Sequence, residues 1–213
     1  MTSPARSATL YRRRGEGAKT GYLVCLIVCL VTGACQLKRP TVTPTRMIEP
    51  QLLEAQLTDT AASTAGAATA SPIRLLDTQA RGHIGRPLLH QQPSGELIQD
   101  ATWRWSSAPD RYLDTALHLE LASAGLRLVD LASSPSLATT LMMWHVDAAG
   151  GPKLVGAAEF ELTGTDRVVH LHMVRASEPI SAELPGDVAA AAGRLLRRIA
   201  QEGLRRVAGA PGE

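Results

Sequence analysis

Residues 138–174, ATTLMMWHVDAAGGPKLVGAAEFELTGTDRVVHLHMV, contain three strand-like segments joined by two turns. The turns fall at residues 147–152 and 164–166, where glycine, aspartate and proline are concentrated. Between the turns, apolar or small side chains alternate with polar ones. This alternation is typical of antiparallel strands that have one buried and one solvated face. The stretch therefore predicts three consecutive antiparallel strands, and the rest of the fold is predicted around them.

The same alternation assigns side chains to the two faces of these strands. Glu159 and Glu161 share one side of the second strand, and His170 and His172 share one side of the third. We expect all four on the solvated face. The buried face is then formed by Leu154, Gly156, Ala158, Phe160, Leu162, Val169, Leu171 and Met173.

Two helices are predicted, one before and one after the three strands. Residues 109–124 and 188–207 carry apolar side chains at the i, i+3, i+4 and i+7 spacing of a helix with one buried face. Gly125 ends the first helix, and Asp187 is expected to cap the second. The candidate caps of the first helix are Ser106, Ser107 and Asp110, with Pro109 in its first turn. The apolar stripes are Leu113, Ala116, Leu117, Leu121 and Ala124, interrupted by Glu120, and Val188, Ala191, Ala192, Leu195 and Ile199.

Shorter strand-like segments lie at residues 73–77, 88–90, 96–105 and 126–131. The whole pattern predicts an α/β (α+β) fold. Its sheet is antiparallel or mixed with four or more strands, and the two helices pack on one face. Residues 58–71 are low-complexity sequence of small residues, so the folded domain is expected to begin near Pro72 and to end near residue 209.

The amino-terminal sequence has the order of a bacterial export signal. A triple arginine at residues 12–14 precedes an apolar run at residues 21–31, and small residues then lead to Cys35. About eleven apolar residues are too few to span a bilayer, which needs ~20. A cysteine directly after small residues is the position at which bacterial lipoproteins are acylated and cleaved. We therefore predict a lipoprotein signal peptide over residues 1–34 and a lipid anchor on Cys35.

Two features of this signal leave alternatives open. Thr32 stands where lipoprotein signals usually have leucine, and Glu16 interrupts the positive region. The alternatives are a short membrane anchor and cleavage by an ordinary signal peptidase, with Cys35 incidental. Two prolines follow the cysteine and indicate an extended spacer, and residues 58–71 are flexible low-complexity sequence, so residues 35–71 are predicted to be a flexible, lipidated tether. An aspartate directly after the lipidated cysteine would favour retention in the inner membrane. Gln36 stands in that position, so we predict delivery to the periplasmic face of the outer membrane.

Removal of the signal changes the charge of the chain. The full 213 residues have a formal net charge of +2 at pH 7. Residues 1–34 hold five basic side chains and one acidic, so the rest has 17 basic and 19 acidic side chains and a net charge of −2. Nucleic acids require a cationic surface, and we expect no nucleic-acid partner. Cys25 and Cys29 leave with the signal, so we expect neither a disulfide nor a cysteine metal site.

No familiar catalytic or nucleotide-binding motif occurs in the sequence, and we predict a protein that is not an enzyme and has no cofactor. His145, His170 and His172 offer one candidate metal site, but alternation alone accounts for them as polar surface residues. Glu159 and Glu161 are a candidate acid–base pair. Such pairs need a cleft that separates their pKa values, so solvated charges are the favoured interpretation.

Five residues are candidates for partner binding. Trp103 and Trp105 lie two positions apart on an extended segment and point the same way, which fits either an interface or packing in the core or at the sheet edge. Arg194, Arg198 and Arg205 lie on the polar side of the last helix. They fit acidic lipid headgroups or a protein partner, although the interleaved Glu202 favours a solvated helix face.

From residue 86 onward, the order of elements resembles the ABC-type transport auxiliary lipoprotein component family. The best-known type of that family is the lipoprotein of the paraquat-inducible system. Two stretches carry the resemblance. The first is residues 85–131, GRPLLHQQPSGELIQDATWRWSSAPDRYLDTALHLELASAGLRLVDL, with Arg104-Trp105 and Pro109; the second is residues 187–207, DVAAAAGRLLRRIAQEGLRRV.

The resemblance implies that residues 72–209 are an auxiliary lipoprotein domain without catalytic residues. It implies an outer-membrane docking or scaffold subunit of an envelope lipid transport system, anchored to the membrane by acyl chains. The implied partners are a mammalian-cell-entry (MCE) domain protein, an ABC transporter ATPase and permease, and further copies of the chain. The alternative is another envelope-assembly lipoprotein, such as a cell-wall synthase regulator or an outer-membrane protein assembly factor.

Overall fold

The computed structural model describes residues 44–52, 70–181 and 185–209. These residues form a mixed sheet of nine strands with two helices, so the predicted α+β fold is confirmed. The strands are β1 (Arg46–Ile48), β2 (Ser71–Leu75), β3 (Gln79–Ala80), β4 (Pro87–Gln91), β5 (Leu97–Trp105), β6 (Leu126–Leu128), β7 (Ser136–Asp147), β8 (Lys153–Thr163) and β9 (Val169–Pro179). The helices are α1 (Pro109–Glu120) and α2 (Pro185–Ala208).

Strand β7 is the centre of the sheet. Along one edge it pairs antiparallel with β8, which in turn pairs antiparallel with β9. Along its other edge it pairs in parallel with β2 at its beginning, β3 in its middle and β4 at its end. The three antiparallel strands predicted from residues 138–174 are therefore β7, β8 and β9.

Two further groups of strands extend the sheet on the far side of β7. At one end β4 pairs antiparallel with β5, and β5 pairs in parallel with β1, which brings Ile48 beside Trp105. At the other end β2 pairs in parallel with β6.

The helices and the sheet enclose a core built mainly from leucine, valine, isoleucine and alanine. Helix α2 packs on β8 and β9, and α1 packs against α2 and β7. Phe160 of β8 is fully buried, and its ring lies so close to Gly203 that a β-carbon there would be 2.2 Å from its Cζ. Gly203 therefore lets α2 approach the sheet directly over Phe160.

The folded domain begins before the predicted boundary at Pro72. Strand β1 lies within residues 35–71, the segment predicted as a tether, and ends at the buried Ile48. The Gln51 backbone N–H then donates to the Ala189 carbonyl oxygen of α2 at 3.2 Å. The start of the fold escapes prediction because a three-residue strand is too short to show an alternation.

The prediction that Glu159 and Glu161 of β8 lie on the solvated face of the sheet is right. The same prediction for His170 and His172 of β9 is wrong. His170 pairs with Leu162 and His172 pairs with Phe160, which places both histidines on the face that the helices cover. The other face carries the cross-strand pairs Thr163–Val169, Glu161–Leu171 and Glu159–Met173. The loop between β8 and β9 sets this register, and a one-residue change of register moves every side chain to the other face.

Helix α1 begins without a side-chain cap. Its N-cap is Ala108, which makes no capping hydrogen bond, and Pro109 follows in the first turn as predicted. Instead, the Ser107 backbone N–H donates to the Tyr112 hydroxyl at 2.8 Å, and that hydroxyl donates to Glu49 Oε2 at 2.8 Å. The predicted caps Ser106, Ser107 and Asp110 are therefore wrong. A side chain one turn into the helix fixes the entry of the chain.

Helix α2 begins at Pro185, two residues before the predicted cap. Asp187 lies in the first turn, where a carboxylate interacts favourably with the positive end of the helix dipole. In the described part of the chain, no helix is both long and apolar enough to cross a membrane.

Candidate functional site

The polar side of α2 forms a charged groove with the strands and the amino-terminal segment beside it. Two carboxylates, Glu120 of α1 and Glu178 of β9, organise the arginines of this groove. Its lining residues are Gln51, Glu178, Gly193, Arg194, Arg197, Arg198 and Gln201.

Glu120 interrupts the apolar stripe of α1 because it is the centre of a buried polar network. Its carboxylate accepts hydrogen bonds from Arg197 Nε at 2.8 Å, Gln201 Nε2 at 3.0 Å and Ser123 Oγ at 3.1 Å. Burial raises the pKa of Glu120, but these hydrogen bonds and the Arg197 charge outweigh it and leave the pKa lowered. The carboxylate is therefore ionised at neutral pH and links the two helices.

Glu178 brings two of the predicted partner-binding arginines together. Its side chain is only 6 % exposed and lies 3.3 Å from Arg194 Nε and 2.6 Å from Arg198 Nη2. The two arginine side chains are 56 % and 59 % exposed. One carboxylate therefore holds both guanidinium groups at the surface, where they form a preorganised cationic rim.

Arg205, the third predicted arginine, lies outside this groove. It pairs with Glu202, which also accepts a hydrogen bond from Arg206 Nε at 2.8 Å. Because Arg205 is 76 % exposed, this ion pair is solvated. The structure therefore groups Arg194 with Arg198 and separates Arg205 from them.

A second concave site lies where β1, β4 and β5 meet the start of α2. It is a pocket of about 90 Å³ lined by Ile48, Leu88, His90, Asp100, Trp103, Val146, Ile180, Pro185 and Val188. Trp103, a predicted partner-binding residue, forms part of the wall. The Arg46 guanidinium carbon lies 5.3 Å from the centroid of the Trp103 ring, within cation–π range.

Trp105 has a different environment from Trp103 and belongs to the core. It is fully buried, and its ring centroid lies 5.7 Å from that of Trp144. Of the two interpretations that the sequence left open, core packing is therefore correct for Trp105. The prediction of Trp105 as a partner-binding residue is corrected, because its side chain has no surface to offer.

His90 and Asp100 supply the polar groups of the pocket. His90 Nε2 lies 3.1 Å from Asp100 Oδ2, and Asp100 Oδ1 accepts the backbone N–H groups of Thr102 and Trp103 at 2.7 and 2.8 Å. Burial raises the pKa of Asp100, but the backbone hydrogen bonds and His90 outweigh it and the pKa is lowered. The sequence did not single out this pair, although the predicted turn at residues 93–95 folds β4 back on β5.

The pocket combines apolar walls with one polar pair, His90 and Asp100. A histidine oriented by a carboxylate serves as a base in nucleophilic enzymes when a hydroxyl or thiol lies within its reach. Among the described residues that line this pocket there is no serine, threonine, cysteine or lysine. Its apolar walls and the single His90–Asp100 contact therefore fit a site that accepts an apolar group.

The three histidines of the candidate metal site lie on opposite faces of the sheet. His145 pairs with Val155 on the face opposite the helices, whereas His170 and His172 lie on the helix side. Within the described ranges, no group of three or more His, Cys, Asp or Glu side chains could hold a metal ion. The geometry therefore separates the three proposed ligands.

His145 makes the stability of the fold sensitive to pH. It is 3 % exposed, and burial lowers its pKa, against the opposing effect of Asp147. As pH falls below about 6.5, the unfolded chain takes up a proton that the folded His145 resists, so the free energy of unfolding decreases. We expect His145→Gln to lose part of this decrease in urea titrations between pH 7.5 and 5.5. An unchanged pH slope would contradict the assignment.

Cys35 and the predicted signal peptide lie outside the described residues.

No protein-family model matches the chain, and no curated protein matches it in sequence. Its fold is similar to that of protein XCC0632 from Xanthomonas campestris, of the family DUF330, with 18% identity over 78% of this chain and 94% of that one and a TM-score of 0.58. An uncharacterized protein has 13% identity over 65% of this chain and 90% of its own, with a TM-score of 0.53. The hypothetical protein CT253 from Chlamydia trachomatis has 10% identity over 66% of this chain and 96% of its own, with a TM-score of 0.50. At such identities these similarities establish a shared fold alone.

Proposed function

We propose that this chain is a lipid-anchored protein of the outer membrane that serves as a non-catalytic docking subunit of an ABC-type, MCE-associated lipid transport system. The observation that carries the proposal is the sequence of residues 1–34, which has the order of an export signal and is followed directly by Cys35. The resemblance of residues 72–208 to the transport auxiliary lipoproteins supports the transport role. The fold, shared with a DUF330 protein, is compatible with it.

The anchor gives the domain a location without a membrane-spanning helix. Each buried methylene group of an acyl chain contributes ~0.8 kcal/mol to membrane binding, and one chain alone binds only marginally. A lipoprotein carries three chains, so its domain stays at one leaflet. A domain held there acts by contact with partners that reach it across the periplasm.

The polar groups of the described domain support contact rather than chemistry. Its two buried carboxylates, Glu120 and Glu178, are engaged with arginines, and the His90–Asp100 pair has no nucleophile among the described residues that line its pocket. Arg194 and Arg198 are instead held at the surface. A docking subunit needs such fixed, exposed groups.

Replacement of Cys35 tests the anchor directly. We expect Cys35→Ser to leave the protein uncleaved or released from the membrane, with no acyl mass on its amino-terminal peptide. Cys25→Ser, inside the apolar run, is the matched control and should leave processing unchanged. The measurements are membrane fractionation and mass spectrometry of the intact chain. A wild-type chain that retains residues 1–34 and is found free of membranes would overturn the proposal.

The transport role is tested by the partners of the full chain. Affinity isolation from native membranes in mild detergent should recover an MCE-domain protein together with an ABC permease and ATPase. The Cys35→Ser chain, isolated in the same way, is the control for contacts made only through the anchor. A lipidated chain that recovers none of these proteins would leave the anchor standing and refute the transport role.

A further inference from the structure

The sheet face opposite the helices presents an apolar row on β9. Val169, Leu171 and Met173 point to this face and are 50 %, 61 % and 46 % exposed. Val168, in the loop before the strand, is also exposed, at 47 %. Single exposed apolar side chains are ordinary, but a contiguous row of them marks an interaction surface.

A row of acidic side chains lies directly beside the apolar row. Glu161 pairs across the strands with Leu171, and Glu159 pairs with Met173. Neither glutamate forms an ion pair with another described residue. Beyond them, β7 contributes small residues, Ser136, Ala138 and Thr140, to the same face. We call this surface, formed by β7, β8 and β9, the open sheet face.

The outer edge of β9 is less open than its face. Arg206 Nη1 donates to the Met173 carbonyl oxygen at 2.9 Å, and Arg198 Nη1 donates to the Ser177 carbonyl oxygen at 3.3 Å. An added β-strand would need these same outward-pointing carbonyl groups. A partner therefore has the side-chain face available and finds the backbone edge occupied by arginines of α2.

We propose that the open sheet face docks an amphipathic α-helix of a partner protein, with its apolar stripe along β9 and lysine or arginine side chains over Glu159 and Glu161. From Val169 to Met173 the row extends about 14 Å, because a strand rises about 3.4 Å per residue. That length matches about nine residues of helix at 1.5 Å each, which is two and a half turns.

The charges distinguish this occupant from two others. Arg175 follows Met173 on the same side of β9 and is exposed, but it lies beyond the row from Val169 to Met173. Anionic lipid laid over that row would face the two glutamates and be repelled by them. A second copy docked face to face would bring the two acidic rows together, which is unfavourable for like charges. A partner that combines apolar and basic side chains satisfies both rows, and its basic groups also steer the encounter.

Two synthetic helical peptides of about four turns test this proposal. Both carry leucines at i, i+3, i+4 and i+7; one has lysines beside this stripe and the other has glutamates. Binding of the labelled peptides is measured by fluorescence anisotropy to the full mature chain in nanodiscs of zwitterionic lipid, with empty nanodiscs as reference. We expect the lysine peptide to bind at least about tenfold more tightly than the glutamate peptide.

Variants of the chain identify the surface. We expect Leu171→Asp to weaken binding of the lysine peptide by about tenfold or more, because it places a charge in the centre of the contact. Leu131→Asp is the matched control: Leu131 is 60 % exposed in the loop after β6, and its replacement should change nothing. Replacing Glu159 and Glu161 together by glutamine should weaken binding and flatten its dependence on salt.

Three results would overturn the proposal: equal binding of both peptides, no effect of Leu171→Asp, or wild-type self-association in sedimentation velocity that Leu171→Asp abolishes while neither peptide binds. The last would assign the face to a second copy of the chain. The proposal deepens the docking role proposed above and fails separately from it. A lipidated chain that binds no peptide would refute this inference and leave the anchor intact.

Discussion

Replacing Glu120 by glutamine is expected to lower the free energy of unfolding by roughly 3 kcal/mol, because removing one partner of a buried ion pair leaves the other charge uncompensated. Glu120 is 6 % exposed, and its partner Arg197 is 18 % exposed. Glutamine keeps the shape of the side chain but loses the negative charge that holds Arg197. It also loses the carboxylate oxygen that accepts a hydrogen bond from Gln201. The measurement is unfolding by urea at pH 7, monitored by tryptophan fluorescence.

Glu202→Gln is the matched control. Glu202 also contacts two arginines, Arg205 and Arg206, but both of these are well exposed. Solvent-exposed ion pairs contribute little to stability, so this variant should unfold close to the wild type. If both variants lose the same stability, burial of the Glu120 network does not matter and the interpretation fails.

The dependence on acid pH checks the same network. The pKa of Glu120 is lowered in the folded chain, so its stabilising contribution is complete above the ordinary pKa of 4.5 and is lost as pH falls through the folded value. In the wild type, the free energy of unfolding should therefore fall below about pH 4.5. In Glu120→Gln that part of the decline should be missing.

Long periodic segments predicted most of the fold. The alternation in residues 138–174 and the helical spacing before and after it identified β7, β8, β9 and both helices. What the periodicity could not provide is register. The faces of β9 depend on how the loop at residues 164–168 joins it to β8, and His170 and Leu171 exchange faces with a shift of one residue.

The candidate site was harder to predict because its contacts are distant in sequence. Arg197 and Glu120 are 77 positions apart, and no local pattern connects them. Trp103 and Trp105 are equivalent in a strand pattern, yet Trp105 is sealed in the core and Trp103 borders a pocket. The difference arises from the neighbouring β1, a strand of three residues that leaves no periodic signal.

Replacing Gly193 by alanine is expected to destabilise the fold by about 3 kcal/mol, although alanine in a helix interior is usually favoured over glycine by about 1 kcal/mol. The amino-terminal segment crosses α2 at this glycine. A β-carbon on residue 193 would lie 2.2 Å from the Gln51 carbonyl oxygen and 2.8 Å from its carbonyl carbon. Both are backbone atoms, so the strain cannot be relieved by a side-chain rotation.

Gly186→Ala separates this clash from helix propensity. Gly186 lies in the same helix, and a β-carbon added there would meet no described atom within 4 Å apart from its chain neighbours and the backbone of its own helix, so its replacement should be neutral or slightly stabilising. In Gly193→Ala, we expect the clash to be relieved by movement of the amino-terminal segment away from α2. Displacement of that segment would break the Gln51–Ala189 hydrogen bond and expose Ile48, whose burial contributes about 1.5–3 kcal/mol.

Hydrogen exchange locates the expected change. In Gly193→Ala, the amides of β1 and of Gln51 should exchange faster than in the wild type. The exchange rates of the β7 and β8 amides should change only as much as the free energy of global unfolding changes. If β1 keeps its protection and the variant is as stable as Gly186→Ala, the amino-terminal segment does not cross α2 at this glycine. The path of residues 49–52 over α2 would then be wrong, whereas the protected β1 would still stand beside β5.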